Sequence, residues 1–223
     1  MSMASTVSLG AGVERRTSPF LRRLLGLVLL YSLVVAALPH VLDEPSIRLA
    51  LRLQARLSFV LFVAALAGPG VRRLWPSRFG DVLVRERSSL LVGFGVSHLI
   101  HGIWIAIFFA FTPHVFRWNL TDGSGAVAFA FIALLVFAEL PVGRRLFGAR
   151  LVTLERVVLG YVWIQFTGFF VMRTQSGAPE LMAWYVFAVL SSVAALALAW
   201  IGARPSGGPK SSLRTPAFSP ETR

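Results

Sequence analysis

The sequence predicts an all-α integral membrane protein with six transmembrane helices and both termini in the cytoplasm. Three observations carry that expectation. Of the 223 residues, 56% are hydrophobic, and the mean hydropathy is +0.70. Only 14% are charged, against about 25% in a soluble domain, too few to cover a water-facing surface. The apolar residues also fall into six runs, at 21–41, 49–70, 89–111, 124–142, 152–172 and 181–202. Each has about the 20 residues needed to cross a hydrocarbon core of roughly 30 Å.

Residues 1–20 are small and polar without a helical period, and read as a disordered tail. The first run follows Arg22 and Arg23, and Ala36-Ala37 resembles a cleavage site. Its length and the five runs behind it favour a retained helix over a signal peptide. The second run is entered through Arg48, Arg52 and Arg56, one face of an amphipathic turn whose simplest contact is with lipid headgroups. His98 and His101 lie within the third. The fourth ends on Glu139, about a turn before Arg144 and Arg145, where an interfacial ion pair is expected. The fifth opens with Glu155 and Arg156, poised to pair with the same basic loop, and carries Tyr161 and Gln165. After the sixth, residues 203–223 are rich in Pro, Ser and Gly and read as a second disordered tail. Trp118 and Trp184 fit one interfacial aromatic belt, and Trp75 and Trp200 the other.

Orientation follows from the basic residues. Sixteen Lys and Arg fall in the N-terminal tail, the 71–88 and 143–151 loops and the C-terminal tail, against at most five on the other side. The positive-inside bias therefore puts both termini in the cytoplasm, here of a bacterial inner membrane. The net charge of +12 and pI near 11.7 do not indicate a nucleic-acid partner. The basic residues punctuate apolar runs instead of forming a stripe on a polar domain. Arginine outnumbers lysine 21 to 1, a bias read as genomic composition. The absence of cysteine removes disulfides, thiolate zinc sites and iron–sulfur clusters. There is no GxGxxG, no Walker loop and no soluble domain to hold a nucleotide, so any electrons must be delivered by a partner subunit or soluble redox protein.

Ionisable groups inside hydrocarbon are expensive and are therefore the first functional candidates. His98 and His101 lie about 15–20 Å along the third helix from Ser88. At i and i+3 they project to one side. Gly95 and Gly102 share the stripe of His98 and admit a flat ligand or another helix. Imidazoles among small neighbours can hold heme iron. The alternative is that each hydrogen-bonds a polar group of a neighbouring helix. Two histidines on one helix face cannot bind opposite sides of one iron, and two stacked hemes need four ligands where only two deep histidines are available, so the chain is expected to hold at most one b-type heme. Tyr161 and Gln165 on the fifth run reach a similar depth. Without heme, His98 or His101 is expected within direct or one-water hydrogen-bond reach of Gln165, or failing that of Tyr161. His40 and His114, beside Pro39 and Pro113, are expected to face water.

Three segments carry a family resemblance. RLSFVLFVAALAGPGVRRL, from Arg56, is similar to the second span of the ferric reductase-like transmembrane domain, and VRERSSLLVGFGVSHLIHGI to its third. GRRLFGARLVTLERVVLGYVWIQFTGFF is similar to its fourth loop and fifth span. That family includes the membrane heme subunit of the periplasmic methionine sulfoxide reductase system. The resemblance runs to about Met172. It implies a heme-ligand histidine at His101 and, in oxidase-type members, a second at His114. The fifth span departs from it: the family's two histidines fall on Glu155 and Gly168. Heme binding has then been lost, or persists with an unusual axial ligand.

Three functions compete. The first is a membrane electron-transfer subunit with at most one heme b, its metal ligands His101 or His98, with Gln165 and Tyr161 beside the cofactor. The second is a heme-free structural or assembly subunit of a larger membrane complex. The third, a transporter or channel, lacks a broken span or an acidic residue near the midplane.

Overall fold

The computed structural model describes residues 18–38, 43–112, 120–176 and 179–204. The two expected tails, apart from a few residues at their inner edges, lie outside these, as do His40, His114 and Trp118. Among the described residues the chain is entirely helical: α1 (Pro19–Ala37), α2 (Glu44–Leu74), α3 (Arg78–Arg85), α4 (Arg87–Phe111), α5 (Leu120–Glu139), α6 (Pro141–Phe147), α7 (Leu151–Ser176) and α8 (Met182–Ala203). Five stretches are long and apolar enough to cross a membrane: Pro19–Ala37, Glu44–Leu74, Arg87–Phe111, Pro141–Gln175 and Met182–Ala203. Gly123–Glu139 is a shorter apolar helix.

Local chemistry sets the helix starts, and moves two of them from their expected places. Ser18 caps α1 by accepting from the Leu21 N–H at 3.0 Å, with Pro19 in the first turn. Pro19 and Phe20 therefore belong to the helix and not to the tail. Asp43 caps α2 by accepting from the Ser46 N–H at 3.0 Å. The start of α2 thus precedes the apolar run by five residues, and its 31 residues extend about 46 Å. The short α3 starts at the Ser77 cap and tucks Leu83 into the core. Gly148, at φ +49°, supplies the left-handed turn that leads into α7.

The helices pack as a ring with one outrider. α2 contacts α4, α4 contacts α5, α5 contacts α7, α7 contacts α8, and α8 returns to α2. α1 packs outside the ring on α4 and α2. The α2–α8 seam is tight because it is built on glycine. A Cβ on Gly70 would run into the Leu198 backbone, and one on Gly202 would sit 2.6 Å from Pro69 Cβ. Small residues at such crossings let backbones approach where no hydrophobic force drives helices together.

The two ends of the ring differ. One end carries the starts of α4 and α7 and the finish of α2. Beside it Phe62, Phe94, Ile132, Leu135, Val158 and Val162 fill the interior. Ion pairs close this end: Glu139, almost fully buried, pairs with Arg144 and accepts from Ser88 Oγ at 2.6 Å. The expected partner Arg145 is not part of it. Glu155 pairs with Arg87 of α4, and not with the 143–151 loop as the sequence suggested. At the other end the ring is open.

Candidate functional site

The open end encloses a cavity of about 1000 Å³, lined by α2, α4, α5, α7 and α8. His98 and His101 are on its α4 wall, and Gln165, Phe166 and Gly168 on its α7 wall. Arg48, Arg52 and Arg56 of α2, with Arg173 of α7, line it towards the ends of their helices. The rest is almost wholly apolar, including Phe129 and Ile132 of α5 and Trp184 of α8.

The imidazoles project together, as their i, i+3 spacing requires, with ring centroids 5.3 Å apart. Phe129 stacks against both, at 4.8 Å from His98 and 6.5 Å from His101. Phe166 meets His98 edge-on at 5.4 Å. Nδ1 of each histidine is buried without a hydrogen-bond partner. Such a nitrogen costs roughly 1–3 kcal/mol when left unmade, and Arg56 Nε is in the same condition.

No direct hydrogen bond joins His98 or His101 to Gln165 or Tyr161, although Gln165 shares their cavity. Gln165 Nε2 donates to Tyr161 Oη at 3.1 Å, and its Oε1 accepts from Ser124 Oγ at 3.4 Å. Tyr161 Oη donates in turn to the Ser124 carbonyl at 2.9 Å. The amide is thus satisfied on α5 and α7, because Ser124 offers both a hydroxyl and a carbonyl one helix away. Gln165 shares the cavity with the histidines, whereas Tyr161 stands behind it, against Phe131. The glycines expected to admit a flat ligand admit side chains of α5: a Cβ on Gly95 would strike Val136, and one on Gly102 would lie 2.9 Å from Phe129. Gly168, where the resembling family carries a histidine, has open space at its Cβ position.

What turns α4 to present its histidines is a buried network that the sequence reading did not single out. Gln54, fully buried on α2, donates to the Ser97 carbonyl at 3.2 Å and to Ser97 Oγ at 3.1 Å. Ser58 Oγ lies 2.9 Å from Ser97 Oγ, and Ser32 of α1 is 3.1 Å from the Gln54 nitrogen. In hydrocarbon these groups have no water to turn to, so they fix one another. The signal was a lone carboxamide inside an apolar run.

The arginine reading also changes. Arg48 pairs with Glu44 at 2.7 Å and lies over Phe108. Arg56 lies over the Trp184 ring at 4.8 Å, and its Nε is buried without a partner. Arg173 lies over Phe169 at 5.1 Å. These groups line the open cavity, Arg52 and Arg173 at exposed positions, because α2 belongs to the ring and its Arg face turns towards it. Trp184, expected in an aromatic belt, is part of the same wall, whereas Trp75 and Trp200 are exposed at the closed end as expected. Among the described residues no cluster of three or more His, Cys, Asp or Glu side chains can hold a bare metal ion. Compared with protein-family models, with curated proteins and with solved structures, the chain matches none.

Proposed function

We propose that this chain is a six-span protein of a bacterial cytoplasmic membrane, with both termini inside, that resembles the ferric reductase-like class and serves as an electron-transfer subunit holding one b-type heme. The observation that carries the reading is the pair of buried imidazoles, His98 and His101, side by side on the wall of a cavity of about 1000 Å³. Cofactor pockets run to about 300–1,000 Å³ with mostly apolar walls and a few convergent polar groups. The donor set suits the group: neutral imidazole is an ordinary axial ligand of heme iron. Bound there, heme supplies one-electron transfer.

His98 and His101 offer nitrogen from one wall only, and Gln165 is committed to Tyr161 and Ser124. The chain therefore supplies histidine to a single face, consistent with at most one heme. The sixteen-to-five distribution of basic residues supports the orientation, and with it a cavity that opens towards the outer face. A partner subunit or soluble protein must then connect the site to a donor.

A heme-free structural or assembly subunit is favoured by one observation: Phe129 stacks on both imidazoles, as on any buried aromatic pair. An absorbance spectrum of protein purified from heme-supplemented cells separates the two. A Soret band that shifts on dithionite reduction and is lost in His98→Ala or His101→Ala supports the carrier. A spectrum with no Soret band sinks it.

A further inference from the structure

The guanidinium groups of the cavity call for something the imidazoles do not. Arg48, Arg52 and Arg56 recur every four residues on one face of α2, and Arg173 meets them from α7. Like charges at i and i+4 repel, and cations at membrane depth are retained only where something compensates them. Glu44 compensates Arg48. Among the described side chains, which do not include those of Asp122 and Glu180, no carboxylate pairs with Arg52, Arg56 or Arg173, and none lines the cavity. Arg56 Nε is buried with no acceptor, although its guanidinium is held over Trp184. The lining also includes the exposed apolar side chains of Ile164, Phe169 and Met172, so the cavity is not sealed from surrounding acyl chains.

We propose that the cavity binds a lipid-derived amphiphile by its oxyanion, a carboxylate or phosphate received by Arg52, Arg56 and Arg173, with the acyl chain lying against the apolar wall. Guanidinium favours these groups because its planar fork pairs with two oxygens at once. The guanidinium groups without a carboxylate and the open apolar rim suit an anionic head and an apolar body in one molecule. Heme held by the imidazoles of the same cavity carries two carboxylates that would compete for these arginines, so the test is run on heme-free protein.

Full-length protein in neutral maltoside detergent, titrated with oleate, methyl oleate, dioleoyl phosphatidic acid or dioleoyl phosphatidylcholine and read by native mass spectrometry, tests this. Oleate is expected to bind at least about tenfold more tightly than its methyl ester, a margin that one charge-assisted bond supplies. Arg56→Gln should remove that margin. Arg52→Gln, at an exposed position that leaves the fold intact, should reduce it. Arg78→Gln, at the closed end, should leave it unchanged. Stronger retention of oleate assigns the site to a free acid, and stronger retention of phosphatidic acid to a lipid headgroup. Equal binding of oleate and methyl oleate, or a margin that survives both cavity variants, overturns the proposal. Because the readout needs no heme, a missing Soret band with the margin intact removes heme alone, and the converse removes the lipid site alone.

Discussion

Gln54 of α2 donates both to the carbonyl and to the hydroxyl of Ser97 on α4, the residue immediately before His98. This pair sets the rotation of α4 and hence the direction of both imidazoles. Gln54→Leu has nearly the right volume but removes the amide's bonds to Ser32 and Ser97, while Ser32 keeps the Val28 carbonyl and Ser58 keeps the Gln54 carbonyl and the Ser97 hydroxyl. A loss of about 0.6–2 kcal/mol is expected for interhelical bonds in a membrane, read as a lower midpoint of thermal unfolding in detergent. A variant as stable as wild type would show that the bonds the serines keep suffice to hold α4 in place.

At the α2–α8 seam, Gly70→Ala places a methyl group against the Leu198 backbone, which cannot move aside as a flexible side chain would. Overpacking of this kind costs about 1–3 kcal/mol. Gly160→Ala on α7, where nothing lies within 4 Å of the added carbon, should be neutral or slightly stabilising. Equal midpoints for the two variants would contradict the close seam.

The closed end should respond asymmetrically to loss of its two partners. The Glu139 side chain is 1% exposed and that of Arg144 is 40% exposed. Arg144→Met leaves a buried carboxylate without its cation, a situation that costs about 3–5 kcal/mol. Glu139→Gln removes the buried charge and leaves Arg144 free to reach water, so it should cost much less. Thermal midpoints of the two variants, measured side by side, check the order.

Acid should loosen the start of α2. Bonds from the Ser46 side chain and N–H hold the Asp43 carboxyl below its ordinary value. A depressed carboxylate contributes stability that is fully present above the ordinary aspartate range and is lost as pH falls through the lowered value. Asp43→Asn retains an acceptor for the cap without the titration. The variant should lack the part of the wild-type midpoint decline that belongs to this group below about pH 4. Identical pH profiles would remove Asp43 from the acid response.

Several features of this molecule can be read along the chain. The all-helical class, the apolar runs and the shared face of His98 and His101 are properties of composition and of 3.6-residue periodicity, which need no knowledge of neighbours. The helix starts at Ser18 and Asp43 are equally local, although the hydropathy of the runs understated how far α2 extends beyond its apolar segment.

Only the tertiary structure decided what those faces meet. Whether Arg52 and Arg56 touch headgroups or a cavity depends on the rotation of α2, and the closed ring of five helices turns that face inward. Whether Gln165 reaches a histidine or Ser124 depends on the separation between α4 and α7, and a cavity about 1000 Å³ in volume lies between them. Sequence fixes which residues share a helix face. Which helix that face meets, and at what distance, is set by the packing of glycines, aromatics and buried amides from segments far apart in the chain.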